Sequence, residues 1–318
     1  MSSSSTTQTT PGEALKVNVD ASGAFKRQVS SFRDKISDEP GAKFASEKYY
    51  SCRPLSSLRV VRVAHRTLLV RALKGLEDVI SLDSTHWFLD ERGWQFKDQY
   101  KDSLYRVPYL KELYLKADPK YEGRVTVPVL WDKKTETIVN NESAEIIRMM
   151  DAFDRFVRNK AGVTFYPKHL QSEIDSVNEW IYETVNNGVY QAGFATSQTA
   201  YEDAVFPLFK SLDRIEGMLS KSDYLVGNTL TEADIRLWTT IIRFDPVYHG
   251  HFKCNIKGIE KDYPNILKPA RRIYQMPKVA ATVDILYVKK GYFCSQVQVN
   301  PTGIYAAGNG PNLAEPKI

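Results

Sequence analysis

The sequence predicts an α/β unit followed by an all-helical unit, and two observations carry this prediction. Up to about residue 157, short apolar runs alternate with helical patterns, whereas beyond about residue 165 apolar residues recur every three or four positions. The chain has 318 residues, 42% of them hydrophobic and 12% aromatic, enough for two domains with cores of their own. We expect domains at 41–157 and 165–290, a mobile or wrapping N-terminal tail at 1–40, and an irregular C-terminal tail at 291–318.

The first half begins with a helix. Between Ala64 and Leu76 five apolar residues lie on one helical stripe. VISLD (79–83) is typical of a short strand, and a long polar and aromatic insertion follows at 84–122. The residues just before the helix, RPLSSLRVV (53–61), alternate only weakly, so no regular strand is expected there.

The first half ends with two strands and a second helix. RVTVPVLWD (124–132) is an apolar run interrupted by Pro128, which cannot donate a ladder hydrogen bond and belongs at a strand edge or start. TIVN (137–140) is predicted to be its partner strand, and 141–153 has the spacing of a helix. Strand, helix, strand, strand and helix in this order are typical of a thioredoxin-like domain.

The apolar spacing of the second half is typical of a helical domain. The predicted helices cover about 170–185, where NNG stops the pattern, about 196–220 with a kink at Pro207, a helix after Leu230, and about 263–276. In LTEAD, Thr231 can cap the first turn, Asp234 can return a hydrogen bond to the cap, and Leu230 is placed as a hydrophobic staple. This capping box predicts one well-nucleated buried helix.

Composition excludes several classes of protein. A net charge of +5 with 25% charged residues falls short of what nucleic-acid binding alone needs. The three cysteines, Cys52, Cys254 and Cys294, form no disulfide framework, which favours a reducing compartment. The sequence lacks a run of about 18 apolar residues, and its polar N-terminus lacks the apolar core of a secretory signal. We expect a cytoplasmic protein that binds neither membrane nor nucleic acid.

Five stretches resemble one family. They are AHRTLLVRALKGLEDVI, GRVTVPVLWDKKTETIVNNESAEIIRMM, NEWIYETVNNGVYQAGFA, LTEADIRLWTTIIRFDPVYHGHFKCN and NPTGI. They resemble the glutathionyl-hydroquinone reductases, also called xi-class or omega-like glutathione transferases, in order and over about residues 41–304. The resemblance implies a glutathione transferase fold with a thioredoxin-like glutathione-binding domain and a helical acceptor domain, usually as a homodimer. It also implies reduction of glutathionyl-hydroquinones by glutathione, without a metal.

The resemblance assigns glutathione contacts to the first domain. Val127 would pair its main chain with the cysteinyl unit of glutathione, beside a Pro128 that is cis in this family. Glu142 and Ser143 open a helix, where free N–H groups and the dipole attract a carboxylate. Ser143 can add a hydroxyl donor, and Glu142 can meet the γ-glutamyl ammonium. A strand-edge proline and an ordinary helix cap are the alternative interpretations.

Two further positions match family residues that contact glutathione. They are Trp94 in RGWQF and Arg124 in GRVTV. Without the resemblance, Trp94 would be interpreted as a packed surface tryptophan and Arg124 as a solvated arginine at a strand end.

The acceptor site is assigned to two tyrosines by the same resemblance. Tyr190 in NNGVY and Tyr248 in DPVYHG can donate a proton to the oxygen of a leaving hydroquinone, and aromatic walls suit a planar quinol. With 18 tyrosines in the chain, most are structural, so these two rest on the motif. HGHFKCN also suggests a metal through its histidines and cysteine, but a fourth ligand is lacking, and we expect no metal site.

The family's nucleophile is missing. The family has Cys-Pro-Trp before the first helix, where the cysteine attacks the glutathionyl sulfur and forms a mixed disulfide. Aligned on AHRT, this chain has Val61, Arg62 and Val63. Valine has no sulfur or hydroxyl, so we expect impaired thiol transfer. Cys52 is a weaker candidate because it lies nine residues upstream of position 61.

Several explanations of this segment stay open. One hypothesis is an enzyme with impaired thiol transfer. A second is a non-catalytic protein that binds glutathione or a hydrophobic ligand, and a third is a scaffold that kept only the fold. An error in the coding sequence at 51–63 would also explain why the match resumes abruptly at Ala64. From Lys48 to Lys74 there are seven basic residues and no acid, which suggests a basic patch for an anionic partner.

Overall fold

The computed structural model describes residues 17–37, 41–45, 50–53, 62–157 and 163–315. In this part of the chain six strands form a four-stranded sheet and a separate hairpin. The strands are β1 Tyr50–Arg53, β2 Ser81–Leu82, β3 Leu89–Asp90, β4 Gly93–Trp94, β5 Val129–Asp132 and β6 Thr137–Asn140.

The larger sheet has the strand order β2–β1–β5–β6. β1 and β2 are parallel, whereas β5 is antiparallel to both β1 and β6. The pairing partners of Cys52 are Leu82 and Leu130, so β1 is a central strand. The expectation that no regular strand precedes the first helix is therefore wrong. The strand lies in YSCR, upstream of the weakly alternating residues, and 54–61 lie outside the described part.

Eleven helices occur in the described residues, together with short 3₁₀ and π segments. The helices are α1 Arg62–Lys74, α2 Leu110–Ala117, α3 Ser143–Met149, α4 Gln171–Ile181, α5 Gly188–Phe194, α6 Gln198–Leu219, α7 Glu232–Arg243, α8 His249–His251, α9 Ile259–Asp262, α10 Pro264–Tyr274 and α11 Ile285–Ser295. None of them is long and apolar enough to cross a membrane. An α/β part thus precedes an all-helical part, which confirms the predicted fold class.

Several predicted elements differ in detail. The α-helix predicted to stop at NNG ends earlier, at Ile181, and NNG (186–188) joins the π segment Tyr182–Asn186 to α5. The helix predicted at 141–153 is α3 followed by a 3₁₀ helix, Met150–Phe156. α11 runs across residue 290, the expected domain limit. The capping box at α7 is confirmed, since the Asp234 carboxylate accepts from the Thr231 N–H at 2.9 Å.

The N-terminal segment 17–37 packs along both halves of the molecule. Arg33 forms an ion pair with Glu145 of α3 and a β-bridge with Asn140 of β6. Phe25 is buried and lies 5.3 Å from Phe194 of α5, measured between ring centres. This segment therefore has the form of a wrapping arm rather than a free tail.

Helix α1 is buried along its whole length between α3 of the first half and α7 of the second. Its cations are buried with it, and those toward its C-terminal end are held by specific partners. Arg71 donates to the Ile80 carbonyl at 2.7 Å, and Lys74 forms an ion pair with Asp151 at 2.8 Å. Because burial of a charged group costs free energy unless the group is hydrogen-bonded, these partners offset the cost of burying Arg71 and Lys74.

A glycine allows α5 to approach an aromatic cluster. A Cβ atom on Gly193 would lie 2.2 Å from the ring of Phe252, which is fully buried and stacks on Tyr248 with ring centres 5.5 Å apart. Any side chain at residue 193 would push this ring, and Tyr248 with it. Gly217 in α6 has open space around its would-be Cβ atom.

We expect Gly193→Ala to lower the free energy of unfolding by about 1–3 kcal/mol, because overpacking displaces a buried ring. Gly217→Ala is the matched control and should raise it by about 0.5–1 kcal/mol, since alanine favours the helix. Urea unfolding followed by circular dichroism measures both. Equal effects of the two substitutions would contradict this packing.

Candidate functional site

The residue expected to hold the nucleophile, Val61, lies outside the described residues. The described chain resumes at Arg62, the first residue of α1. Arg62 and Val63 are both buried, with 0% and 8% of their surfaces exposed.

Arg62 differs from the other cations of α1 because its side chain has no hydrogen-bond partner among the described residues. Its Nε and both terminal nitrogens are buried and unpaired among the described residues. Its guanidinium carbon lies 5.4 Å from the centre of the Tyr190 ring. Burial lowers the pKa of Arg62, and the phenols of Tyr190 and Tyr248 act in the opposite direction. A guanidinium keeps its proton near neutral pH, so an uncompensated cation is enclosed here.

Three phenols meet beside this guanidinium. The Tyr292 hydroxyl lies 2.5 Å from that of Tyr190 and 3.0 Å from that of Tyr248. Burial raises the pKa of both Tyr248 and Tyr292, so these phenols stay protonated and act as donors. Tyr190 is only half-buried, so this phenol cluster reaches the surface.

The sequence analysis missed Tyr292. Its segment matches the family loosely, and we expected no assigned contact there. One signal was available, because Val288, Tyr292 and Ser295 follow one another by four and three positions, the spacing of a buried helix face. The structure joins Tyr292 with Tyr190 and Tyr248, which sequence reasoning did name.

The cis-proline loop lies against the start of α3. The Val127–Pro128 bond is cis, as the family resemblance implies. Tyr114 donates to the Thr126 carbonyl at 2.7 Å, and Asn141 donates to the Thr126 hydroxyl at 3.2 Å. Within the described chain, the Val127 N–H and C=O make no hydrogen bond. An extended peptide can therefore pair with them.

Glu142 and Ser143 lie at the start of α3. The Glu142 carboxylate accepts from the Ala144 N–H at 3.2 Å and from the Ser30 hydroxyl at 3.1 Å, so it caps its own helix. The buried Arg66 donates to the Ser143 hydroxyl at 3.5 Å. Burial and then Arg62 lower the pKa of Arg66 strongly. The helix start and these cations give the region a positive potential suited to a carboxylate.

Trp94 and Arg124 have different surroundings. Trp94 is buried in the core, with 8% of its surface exposed. Arg124 keeps an exposed side chain, although protein atoms around its guanidinium, and then the neighbouring Arg27, lower its pKa. Both residues lie in the first half of the chain with the other expected glutathione contacts, and no hydrogen bond described here joins them to Val127 or Ser143.

Cys254 and Cys294 are poor nucleophiles. Burial raises the pKa of both Cys254 and Cys294, so each favours the thiol over the thiolate. Cys294 donates to the Gly303 carbonyl at 3.2 Å. It follows Tyr292 by two residues in α11, so the two side chains do not share a helix face. The described ranges contain no group of three or more His, Cys, Asp or Glu side chains that could hold a metal ion.

Two family models match the chain. The glutathione S-transferase N-terminal domain matches residues 62–152, and the glutathione S-transferase C-terminal domain matches residues 198–268. The chain is 51% identical over 307 residues to the glutathionyl-hydroquinone reductase YqjG of Escherichia coli strain K12, covering 92% of each protein.

Solved structures agree with these matches. The crystal structure of a xi glutathione S-transferase from Phanerochaete chrysosporium has a TM-score of 0.87 and 46% identity, over 92% of this chain and 94% of that one. The glutathione-bound structure of YqjG from Escherichia coli K-12 has a TM-score of 0.85 and 49% identity, over 90% of this chain and 95% of that one. The likeness covers both halves of the molecule.

We expect Arg62→Met to raise the free energy of unfolding by about 1–3 kcal/mol in the absence of ligand, because it removes an unpaired buried charge. The exposed Arg92 provides the matched control, and Arg92→Met should change stability by less than about 0.5 kcal/mol. Urea unfolding midpoints and slopes report both. A loss of stability in Arg62→Met would show that the guanidinium is compensated after all.

His251 predicts a pH dependence. Burial lowers its pKa from 6.5 to about 4, while Gln296 is its hydrogen-bond partner at 2.8 Å. Between these pH values the unfolded chain binds the proton and the folded protein does not, so stability is lost as pH falls from about 6.5 to about 4. His251→Asn should reduce this loss by about 1–3 kcal/mol, measured by thermal unfolding at each pH. The exposed His169→Asn is the control, and an equal reduction there would contradict the assignment.

Proposed function

The chain belongs to the xi class of glutathione transferases, the family of the glutathionyl-hydroquinone reductases, and from this we propose that it binds glutathione but transfers thiols poorly. Glutathione would occupy the cleft between the cis-proline loop and the start of α3. A quinol-type aromatic acceptor would occupy the phenol cluster. The observation that carries the proposal is the start of α1, where Arg62 and Val63 follow a valine at the family's cysteine position.

Glutathione binding is supported by the geometry of the first half. Val127 offers a main-chain N–H and C=O that are unpaired within the described part of the chain, and these are the pairing groups that a peptide ligand needs. Ser143 stands at a helix start near the buried cation Arg66. We assign Trp94, Arg124, Val127, Pro128, Glu142 and Ser143 as its contacts. A structure similar to this chain, that of YqjG, was solved with glutathione bound.

Impaired thiol transfer is supported by the valine at residue 61 and by the surroundings of Cys254 and Cys294. The resemblance places the attacking cysteine at residue 61, where this chain has valine. A thiolate forms readily only where burial is relieved by positive charge or a helix start. Cys254 and Cys294 instead have raised pKa values. Tyr190 and Tyr248 would still be placed to donate to an acceptor oxygen, but donation alone does not break a carbon–sulfur bond.

The test is steady-state reduction of a glutathionyl-hydroquinone by the purified protein with glutathione, with retention on a glutathione matrix measured on the same sample. We expect retention with turnover near the uncatalysed background. The Escherichia coli relative that is named for this activity serves as the positive control. Turnover at a similar rate to that control would contradict impairment, and lack of retention would contradict glutathione binding.

A non-catalytic glutathione-binding or hydrophobic-ligand-binding protein is the second candidate function. The phenol cluster favours it, because aromatic walls and protonated phenols form a ligand site that needs no nucleophile. Retention without any turnover, even at high enzyme concentration, would select this alternative over a slow enzyme.

We extend the proposal to a cytoplasmic homodimer. The family resemblance implies the dimer, and the unpaired, widely spaced cysteines favour a reducing compartment. Light scattering after gel filtration measures the assembly, and a monomeric mass would contradict it.

A further inference from the structure

We propose that Arg62 and the three phenols form a binding site for an aromatic oxyanion, a flat molecule that carries a carboxylate or an ionised phenol. This inference rests on the proposed function, since it names the class of acceptor for the same site. It makes Arg62 the residue that determines specificity. The resembling family has a proline at this position, so the anionic preference would belong to this chain.

The hydrogen-bond donors of this cluster outnumber the bonds that it makes. The three phenols hold three hydroxyl hydrogens, but only two hydrogen bonds join them. At least one hydroxyl hydrogen therefore lacks an acceptor among them. Arg62 adds five N–H groups and no acceptor, and its three nitrogens are unpaired among the residues described. The phenol oxygens can also accept, but the cluster keeps a surplus of donors, which an oxygen anion complements.

Charge also favours an anion here. The phenols of Tyr190, Tyr248 and Tyr292 and the cation Arg27 act on Arg62, and Arg62 in turn acts on the buried cation Arg66. None of the side-chain nitrogens of Arg62 has a hydrogen-bond partner among the described residues. Burial of both Tyr248 and Tyr292 raises the pKa values of these phenols, so the phenols supply no negative charge near neutral pH. A ligand that brings one negative charge would pair the buried guanidinium.

Aromatic rings surround the hydroxyls. The ring centre of Phe252 lies 5.4 Å from that of Tyr190 and 5.8 Å from that of Tyr292. The ring centre of Phe194 lies 6.0 Å from that of Tyr190, and Phe194 and Tyr190 are each only half-buried. Ring walls next to a row of donors suit a planar ring whose charged oxygen points at Arg62.

Isothermal titration of the full chain without glutathione tests the inference with matched probes. We expect 2-naphthoate to bind at least tenfold more tightly than neutral 2-naphthamide. In the phenol arm, 4-nitrophenol should ionise at a lower pH when bound, which its visible absorption reports directly. A preference in the carboxylate arm alone assigns the site to carboxylates, and one in the phenol arm alone assigns it to ionised phenols.

Variants at Arg62 then separate charge from packing. Arg62→Gln should abolish the preference, and Arg62→Lys should restore part of it, while Arg92→Gln at the surface should leave it unchanged. Thermal unfolding of each variant confirms that it is folded. No preference in either arm, no binding of any probe, or a preference that survives Arg62→Gln would overturn the inference. Because glutathione is absent, these outcomes are independent of glutathione binding and turnover.

Discussion

The structure depends on the burial of helix α1, which lies between the two halves of the molecule and carries cations along its whole length. In water such a helix would be unremarkable, but in a core each cation needs a partner. The fold supplies Ile80 for Arg71 and two aspartates for Lys74. His65 is held by Thr282 at 2.9 Å and by Arg243 at 3.0 Å, which ties α1 to the helical half. Arg62, at the end nearest the expected site, is the cation that has no such partner among the described residues.

The residues that hold α1 in the fold differ from the residue at which the family's reaction takes place. The side chains that hold α1 in place include His65, Arg71 and Lys74, and each of them lies after residue 63. We propose that this chain lacks the thiol of its family and keeps both ligand sites. On that proposal, Arg62 and the phenols recognise an anion where the family's thiol attacks a sulfur.

The sequence predicted much of the fold because local signals were strong. A few adjacent residues were enough to predict three elements. These are the capping box of Thr231 and Asp234, the TIVN strand and the helix near residue 264. β1 was missed because its four residues carry too little alternation, and its position is decided by pairing with β2 and β5. The sequence did not decide whether the N-terminal segment is a mobile tail or a wrapping arm, because this segment is held by distant partners such as Glu145.

The site could be predicted only in part. Tyr190 and Tyr248 were found by resemblance, but their hydrogen bonds to Tyr292 join residues 102 and 44 positions apart in sequence. The isolation of Arg62 is likewise a tertiary property, because a basic residue at a helix start is normally solvated. The seven basic residues between Lys48 and Lys74 did suggest an anionic partner, without indicating which residue would meet it.

The most direct test of the central claim, loss of the nucleophile with retention of the scaffold, is intact-protein mass spectrometry after incubation with a glutathionyl-hydroquinone. Thiol transfer by this family's route passes through a mixed disulfide between protein and glutathione. The account predicts that the mass of the protein stays unchanged while the same sample is retained on a glutathione matrix. A stoichiometric glutathione adduct, mapped to Cys52 or to any other cysteine, would contradict it.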